Sequence, residues 1–214
     1  MKNFLVLTII LMLGACGRVA AQDAAAASKR ANQQYVLFES ERDKGTNVTG
    51  MYSYLLDSYE NFMKVVEAPD NGQYLSGAKN RLRAMYPYLL NGAVYYSEQK
   101  QPSKALDFAA AYIEMPRLKI FQSELLPKDN RYASVVYYAA VSAYNLQKYS
   151  QALKYFQEYL STGTDTQQKD CYVYMNMIYQ SQKNYSEQER VLEEAIAKYP
   201  VSVSYTHLRA HELG

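Results

Sequence analysis

The stretch Val136–Leu160, "VYYAAVSAYNLQKYSQALKYFQEYL", decides the fold. Val136, Ala139, Ala140 and Ala143 recur at spacings of three and four, the period of one helical face. Lys148-Tyr149-Ser150 interrupts the pattern with a short polar break. Ala152, Leu153, Phe156 and Leu160 resume it, which predicts a second helix turning its apolar side back on the first. The same layout occurs in Leu89–Pro116, "LLNGAVYYSEQKQPSKALDFAAAYIEMP", and in Tyr172–Pro200, "YVYMNMIYQSQKNYSEQERVLEEAIAKYP". The register agrees across all three. Leu89 leads to Ala105, Val136 to Ala152 and Tyr172 to Gln188 at one constant interval.

Composition points the same way. The chain has 214 residues, 49% of them apolar, a formal charge of +2, 23 tyrosines, no tryptophan, 9 glycines and 6 prolines. So many apolar residues and so small a charge exclude a disordered polyelectrolyte, and there is no basic footprint for nucleic acid. Sparse glycine and proline favour helices over a turn-rich β protein.

The three segments resemble the tetratricopeptide repeat, a helix–turn–helix of about 34 residues with the pattern W-x2-L-G-x2-Y…A-x3-F…P. In the middle segment Val136 takes the Trp place, Ala139 the Leu place, Ala140 the Gly place and Ala143 the Tyr place. Ala152 and Phe156 give a literal A-x3-F. In the third, Tyr172, Met175, Asn176 and Tyr179 fill the first helix, Leu192 takes the Phe place and Pro200 closes the repeat. In the first, Leu89, Gly92, Ala93 and Tyr96 are followed by Ala105 and Ala109. Departures are the missing Trp, Gln188 in place of a small residue, an early Pro116 and an insertion, "RLKIFQSELLPKDNR", between the first two segments. The insertion predicts an extra helical turn ended near Pro127. The resemblance implies an all-α fold, with antiparallel helix pairs stacked as an α-solenoid in a right-handed superhelix. The division expected is 87–116, 132–165 and 167–200 for the three repeats and 117–131 for the inserted turn. Residues 22–86 then form N-terminal helices, a degenerate repeat or a cap.

Those upstream helices are "SKRANQQYVLFESERDK" and "MYSYLLDSYENFMKVVEAP", separated by "GTNVTG", and then "GQYLSGAKNRLRAMY", which is expected to end before Pro87 because proline suits the first turn of a following helix. Asn47-Val48-Thr49 reads as a helix start after a Gly-rich loop rather than as a glycosylation sequon.

The first residues carry Lys2 and an unbroken apolar run from Phe4 to Leu13. That is short of the ~20 residues a membrane-spanning helix needs and fits a signal-peptide core. Two processing readings compete. Val19-Ala20-Ala21 fits signal-peptidase cleavage, making 1–21 the signal. Leu13-Gly14-Ala15-Cys16 resembles a bacterial lipobox, making 1–15 a lipoprotein signal and Cys16 the lipidated N-terminus. Past this leader only Cys171 remains, so no internal disulfide is available. With no histidine partner outside the tail, Cys171 reads as a small buried apolar residue.

In such repeats the first helix of each pair lines a concave groove. Projection of the register gives Tyr137, Val141, Tyr144 and Asn145, then Asp170, Val173, Met177 and Gln180, as groove-facing residues. Aromatic, amide and aliphatic groups there suit an extended peptide or another helix. The tyrosine pairs Tyr95-Tyr96 and Tyr137-Tyr138 suggest one ring inside and one outside, with Tyr96, Tyr149, Tyr179 and Tyr185 assigned to the core. "SEQERVLEEA" reads as a solvated helix face, and Glu193 beside Glu194 is no catalytic pair because adjacent helical residues diverge. No phosphate loop, metal cluster or nucleophile–histidine–acid set occurs, so catalytic, cofactor and metal residues are all expected to be none.

The only histidines, His207 and His211, sit four apart in "VSYTHLRAHE" (Val203–Glu212). The spacing invites a metal site, yet the peptide resembles the translation of a sequencing-library adaptor. On that reading 201–214 is a non-native tail, and Leu192, Ala195 and Ile196 lie open for a missing helix, so that the truncated form self-associates. The function expected is a non-catalytic protein–protein interaction scaffold of a Gram-negative envelope, periplasmic or anchored in the outer membrane through Cys16. Three alternatives stand beside it: a glycan-binding outer-membrane lipoprotein, an envelope-assembly lipoprotein, and the repeat arm of a larger enzyme.

Overall fold

In a computed structural model the described backbone comprises residues 2–69, 71–124, 126, 129–164 and 167–200, with side chains described from Asp23 onward. The readings that rest on the side chains of Cys16 and of the leader lie outside the described side chains, and the tail with its histidine pair lies outside the described residues. Among the described residues every regular element is helical: α1 (Lys2–Lys44), α2 (Val48–Glu67), α3 (Gly72–Glu98), α4 (Pro102–Glu114), α5 (Tyr132–Asn145), α6 (Tyr149–Ser161), α7 (Gln168–Ser181) and α8 (Tyr185–Lys198). Two 3-10 turns, Met115–Arg117 and Lys119–Phe121, occupy the insertion where an extra helical turn was expected. No helix among the described residues is long and apolar enough to cross a membrane. The chain divides into two compact units, residues 1–92 with 114–126, and residues 93–113 with 127–214.

In the first unit α1 packs along α2. Ala31, Tyr35 and Phe38 form the buried stripe of α1, and Tyr52, Leu55, Phe62 and Val65 that of α2. Ser58, fully buried, donates a 2.9 Å hydrogen bond from its hydroxyl to the Ala31 carbonyl, which brings the two backbones close where both side chains are small. The loop before α2 does what its sequence suggests. Asn47 is the N-cap, its side chain accepting from the Gly50 N–H at 2.9 Å. Removing that acceptor leaves a first-turn donor without its cap. Asn47→Ala is therefore expected to destabilise by about 0.5–2 kcal/mol, read as an earlier denaturation midpoint with unchanged helicity at room temperature.

Pro87 corrects one expectation. The helix does not end before it; α3 runs on to Glu98 with Pro87 inside. Proline removes the bond its N–H would have made to the Arg83 carbonyl. What outweighs that loss is burial on both sides, by Leu82, Met85, Tyr86, Leu89 and Leu90. The insertion docks on the same helix. Phe121 is buried under the Lys79 ammonium, 5.9 Å from its ring centre, and Glu124 pairs with Lys79 at 2.7 Å and with Arg83. Lys79 first, then Arg83, hold the Glu124 carboxyl below its ordinary range.

The second unit is built from helix–turn–helix pairs, with α5 packed on α6, α6 on α7 and α7 on α8. Its positions that set the register are all buried: Ala93, Tyr96 and Ala105; Val136, Ala140, Ala143 and Ala152; Tyr172, Asn176, Tyr179 and Gln188. The turns between paired helices are copies of one another. Lys100, Gln147 and Lys183 each adopt left-handed backbone, with φ of 55, 56 and 55°. In each, the N–H of that residue bonds the carbonyl three before it, and the next N–H bonds the carbonyl five before. The pairs are Lys100 to Ser97 with Gln101 to Tyr96, Gln147 to Tyr144 with Lys148 to Ala143, and Lys183 to Gln180 with Asn184 to Tyr179. This is the Schellman closure of a helix C-terminus. The residue completing it then begins the second helix, its carbonyl accepting from Ala105, Ala152 or Gln188.

Five assignments shift. The break in the middle pair is Leu146–Lys148, with Tyr149 already helical. The buried stripe of α6 is Ala152, Tyr155, Phe156 and Tyr159, while Leu153 and Leu160 are only half-buried. Tyr185, assigned to the core, is 66% exposed, because it is the first helical residue after the Asn184 cap and points away from the pair. Tyr149 is half-buried. Leu192 and Ala195 do not lie open: both are buried, Leu192 at the place where the pattern has Phe, and Ile196 is half-buried.

Candidate functional site

The projected groove residues lie on α5 and α7, which run side by side in the second unit. Tyr137 points its hydroxyl at an Asp170 carboxylate oxygen 3.4 Å away, and Tyr144 points its hydroxyl at the Met177 sulfur 4.0 Å away. The two contacts join residues the same number of positions apart, so the helices are parallel and in register. Val141 and Val173 are half-buried, and Asn145, Asp170, Met177 and Gln180 are exposed. All eight predicted residues thus remain accessible to some degree, and the structure brings four of them into cross-helix pairs.

The tyrosines of this face belong to a continuous aromatic row. Tyr144 sits 4.9 Å from Tyr174 and 6.0 Å from Tyr149, and Tyr174 stacks on Phe156 with centroids 5.2 Å apart and planes within 9°. Tyr137 meets Phe156 at 6.5 Å and Tyr159 at 5.5 Å. Offset and edge contacts of this kind hold rings in fixed orientations. This face of α5 and α7 is therefore anchored from behind by the core of α6. Burial, with Asp170 adding to it, raises the pKa of the Tyr137 phenol, which stays neutral across the physiological range. Burial likewise pushes the Cys171 thiol up to about 12, so it packs as an apolar group.

Asn176 and Gln188 occupy positions where the other pairs carry small residues. Both are buried, and the Asn176 carbonyl oxygen has no hydrogen-bond partner among the described residues. Nearby polar groups are better served. The Tyr159 hydroxyl donates to the Gln167 side chain at 2.5 Å and accepts from the Gln167 N–H at 3.2 Å, tying the end of α6 to the start of α7. On the opposite face, Arg190 holds Glu187 at 2.7 Å and Glu194 at 2.5 Å, an exposed helix-surface network as the "SEQERVLEEA" pattern indicates. Among the described residues no group of three or more His, Cys, Asp or Glu side chains is placed to hold a metal ion.

One part of the face was missed. The register projected only the second and third segments. Carried back to the first, it gives Leu90, which is buried, and Val94, Ser97 and Glu98. Val94, Ser97 and Glu98 line a hollow of about 250 Å³ with Ala93, Ala105, Ala109, Val135, Tyr138, Ala139 and Ser142. Tyr138, at 54% exposure, stands at its edge. The signal was the constant interval itself, which fixes equivalent positions in every copy. No protein-family model, no curated protein and no solved structure matches the chain.

Proposed function

We propose that this chain is a non-catalytic scaffold of tetratricopeptide type, its helix pairs stacked as a right-handed solenoid, which holds extended partner segments along the face formed by Tyr137, Val141, Tyr144, Asn145, Asp170, Val173, Met177 and Gln180. The observation that carries this reading is the threefold copy of one turn. Lys100, Gln147 and Lys183 share backbone angle and both capping bonds at the register positions the repeat pattern assigns. Repeated turns of one geometry give each pair the same internal closure, and stacked pairs of one kind build an extended binding face. A face whose rings are already fixed binds with little ordering cost. The leader pattern at residues 1–21 supports placing the scaffold in the envelope of a Gram-negative bacterium, soluble or held by lipid at Cys16.

Site-specific photo-crosslinking tests it. Benzoylphenylalanine at Asn145 or Gln180, both exposed on this face, is expected to give protein adducts in cells producing the chain. The same group at exposed Gln157 on α6 is expected to give none. Equal yields from Gln157, or none from the face, would refute the assignment.

A further inference from the structure

We infer that the hollow at the end of α3 is an anchor site for one bulky apolar side chain of the bound segment, and that the segment carries a lysine or arginine beside that anchor. This rests on the scaffold reading above and names its partner's chemistry.

The hollow lies wholly within the second unit. Its floor is four methyl groups, from Ala93, Ala105, Ala109 and Ala139, each buried in the helix walls. Where three helices meet, alanines leave unfilled the space that larger residues would occupy. A volume of about 250 Å³ falls just under the roughly 300–1,000 Å³ of sites that take whole small molecules, and it suits a single leucine, methionine or aromatic side chain. Val94 and Val135 make the sides apolar, Ser97 and Ser142 offer hydroxyls, and the Tyr138 ring forms an exposed lip.

Charge selects the neighbour of that anchor. Glu98 is the one ionisable carboxylate lining the hollow, it is exposed, and no ion pair to it occurs among the described residues. It is also the last residue of α3, where the helix dipole already concentrates negative potential, so an acid there is placed against its own helix. A cation resting at this rim answers both charges. The lysines near it in sequence are set otherwise: Lys104 reaches over the Tyr96 ring at 4.9 Å, and Lys100 follows the helix end in the left-handed turn. Along the same face α5 contains no charged residue, and Asp170 adds a second exposed acid on α7. The face therefore favours basic over acidic segments.

A phage-displayed random peptide library selected on the full chain tests this. The expected pool carries a large apolar residue within two positions of lysine or arginine. Binding of that pool should fall about thirtyfold in Ser97→Leu, which fills the hollow, and about tenfold in Glu98→Lys, which reverses the rim charge. Circular dichroism checks the fold of both, and Glu98→Lys, being on the surface, carries the test if Ser97→Leu does not fold. A selected pool rich in acidic residues overturns the inference. So does a basic pool indifferent to both variants but lost in Met177→Lys; that result leaves the scaffold reading standing. A library from which nothing binds above the level of an unrelated helical protein overturns both.

Discussion

Ala152→Leu is expected to lower the melting temperature clearly, while Gln157→Leu, five residues further along the same helix, leaves it nearly unchanged. Ala152 is fully buried near the start of α6, and Ala140, the partner small residue of the pattern, is fully buried on α5. Two helices joined by a three-residue closure are held at a fixed separation by that closure. Three extra heavy atoms at the approach have no void to enter. They force shifted rotamers or a displaced helix, which costs about 1–3 kcal/mol. For a chain of this size each kcal/mol moves the midpoint by about 2–4 °C. Gln157 is exposed, so its substitution falls in the range of ordinary surface changes. Thermal unfolding followed by far-ultraviolet circular dichroism compares the two directly. Equal tolerance at both positions would show that the register is wrong.

Phe156→Ala should cost more. Its side chain is fully buried, it stacks on Tyr174 from α7 and it meets Tyr137 from α5 edge-on. Truncation removes the transfer energy of a phenyl ring and leaves a cavity that three helices must collapse around, together about 3–5 kcal/mol. Phe156→Leu keeps most of the volume and is expected to lose only part of that. Because Tyr174 also abuts Tyr144, and Tyr137 faces Asp170, the alanine variant should lose near-ultraviolet dichroism from the tyrosine row as well as stability. Urea denaturation gives the first effect and near-ultraviolet spectra the second. A loss under 1 kcal/mol, below the usual range for such truncations, would place Phe156 outside the core.

The constant interval between the first and second helices was legible because a Schellman closure fixes chain length between buried positions. Every residue that interval identified is buried, from Leu89 to Gln188. Less legible were the tyrosines. Tyr155 and Tyr159 are fully buried, whereas Tyr185 is exposed, and residue type alone does not separate them. A buried phenol usually finds a partner for its hydroxyl, and for Tyr159 that partner, Gln167, lies across a loop the sequence pattern does not describe. Pro87 misled for a related reason. A local rule about proline competes with long-range burial, and only the packing of Met85, Tyr86, Leu89 and Leu90 decides the contest. The hollow beside Glu98 was accessible in principle, since it occupies register positions already known, but empty space between alanines leaves no mark on a hydrophobic pattern.

The three turns carry one more consequence, for how this chain could be made sturdier. None of Lys100, Gln147 and Lys183 is glycine, though each has left-handed backbone. An L side chain in that conformation costs roughly 1–2 kcal/mol, more than the ~0.4–1 kcal/mol that glycine gives up through a freer unfolded chain. All three side chains are exposed and make no part of the proposed binding face. Room for improvement therefore lies in the connections, at three equivalent and independently changeable points.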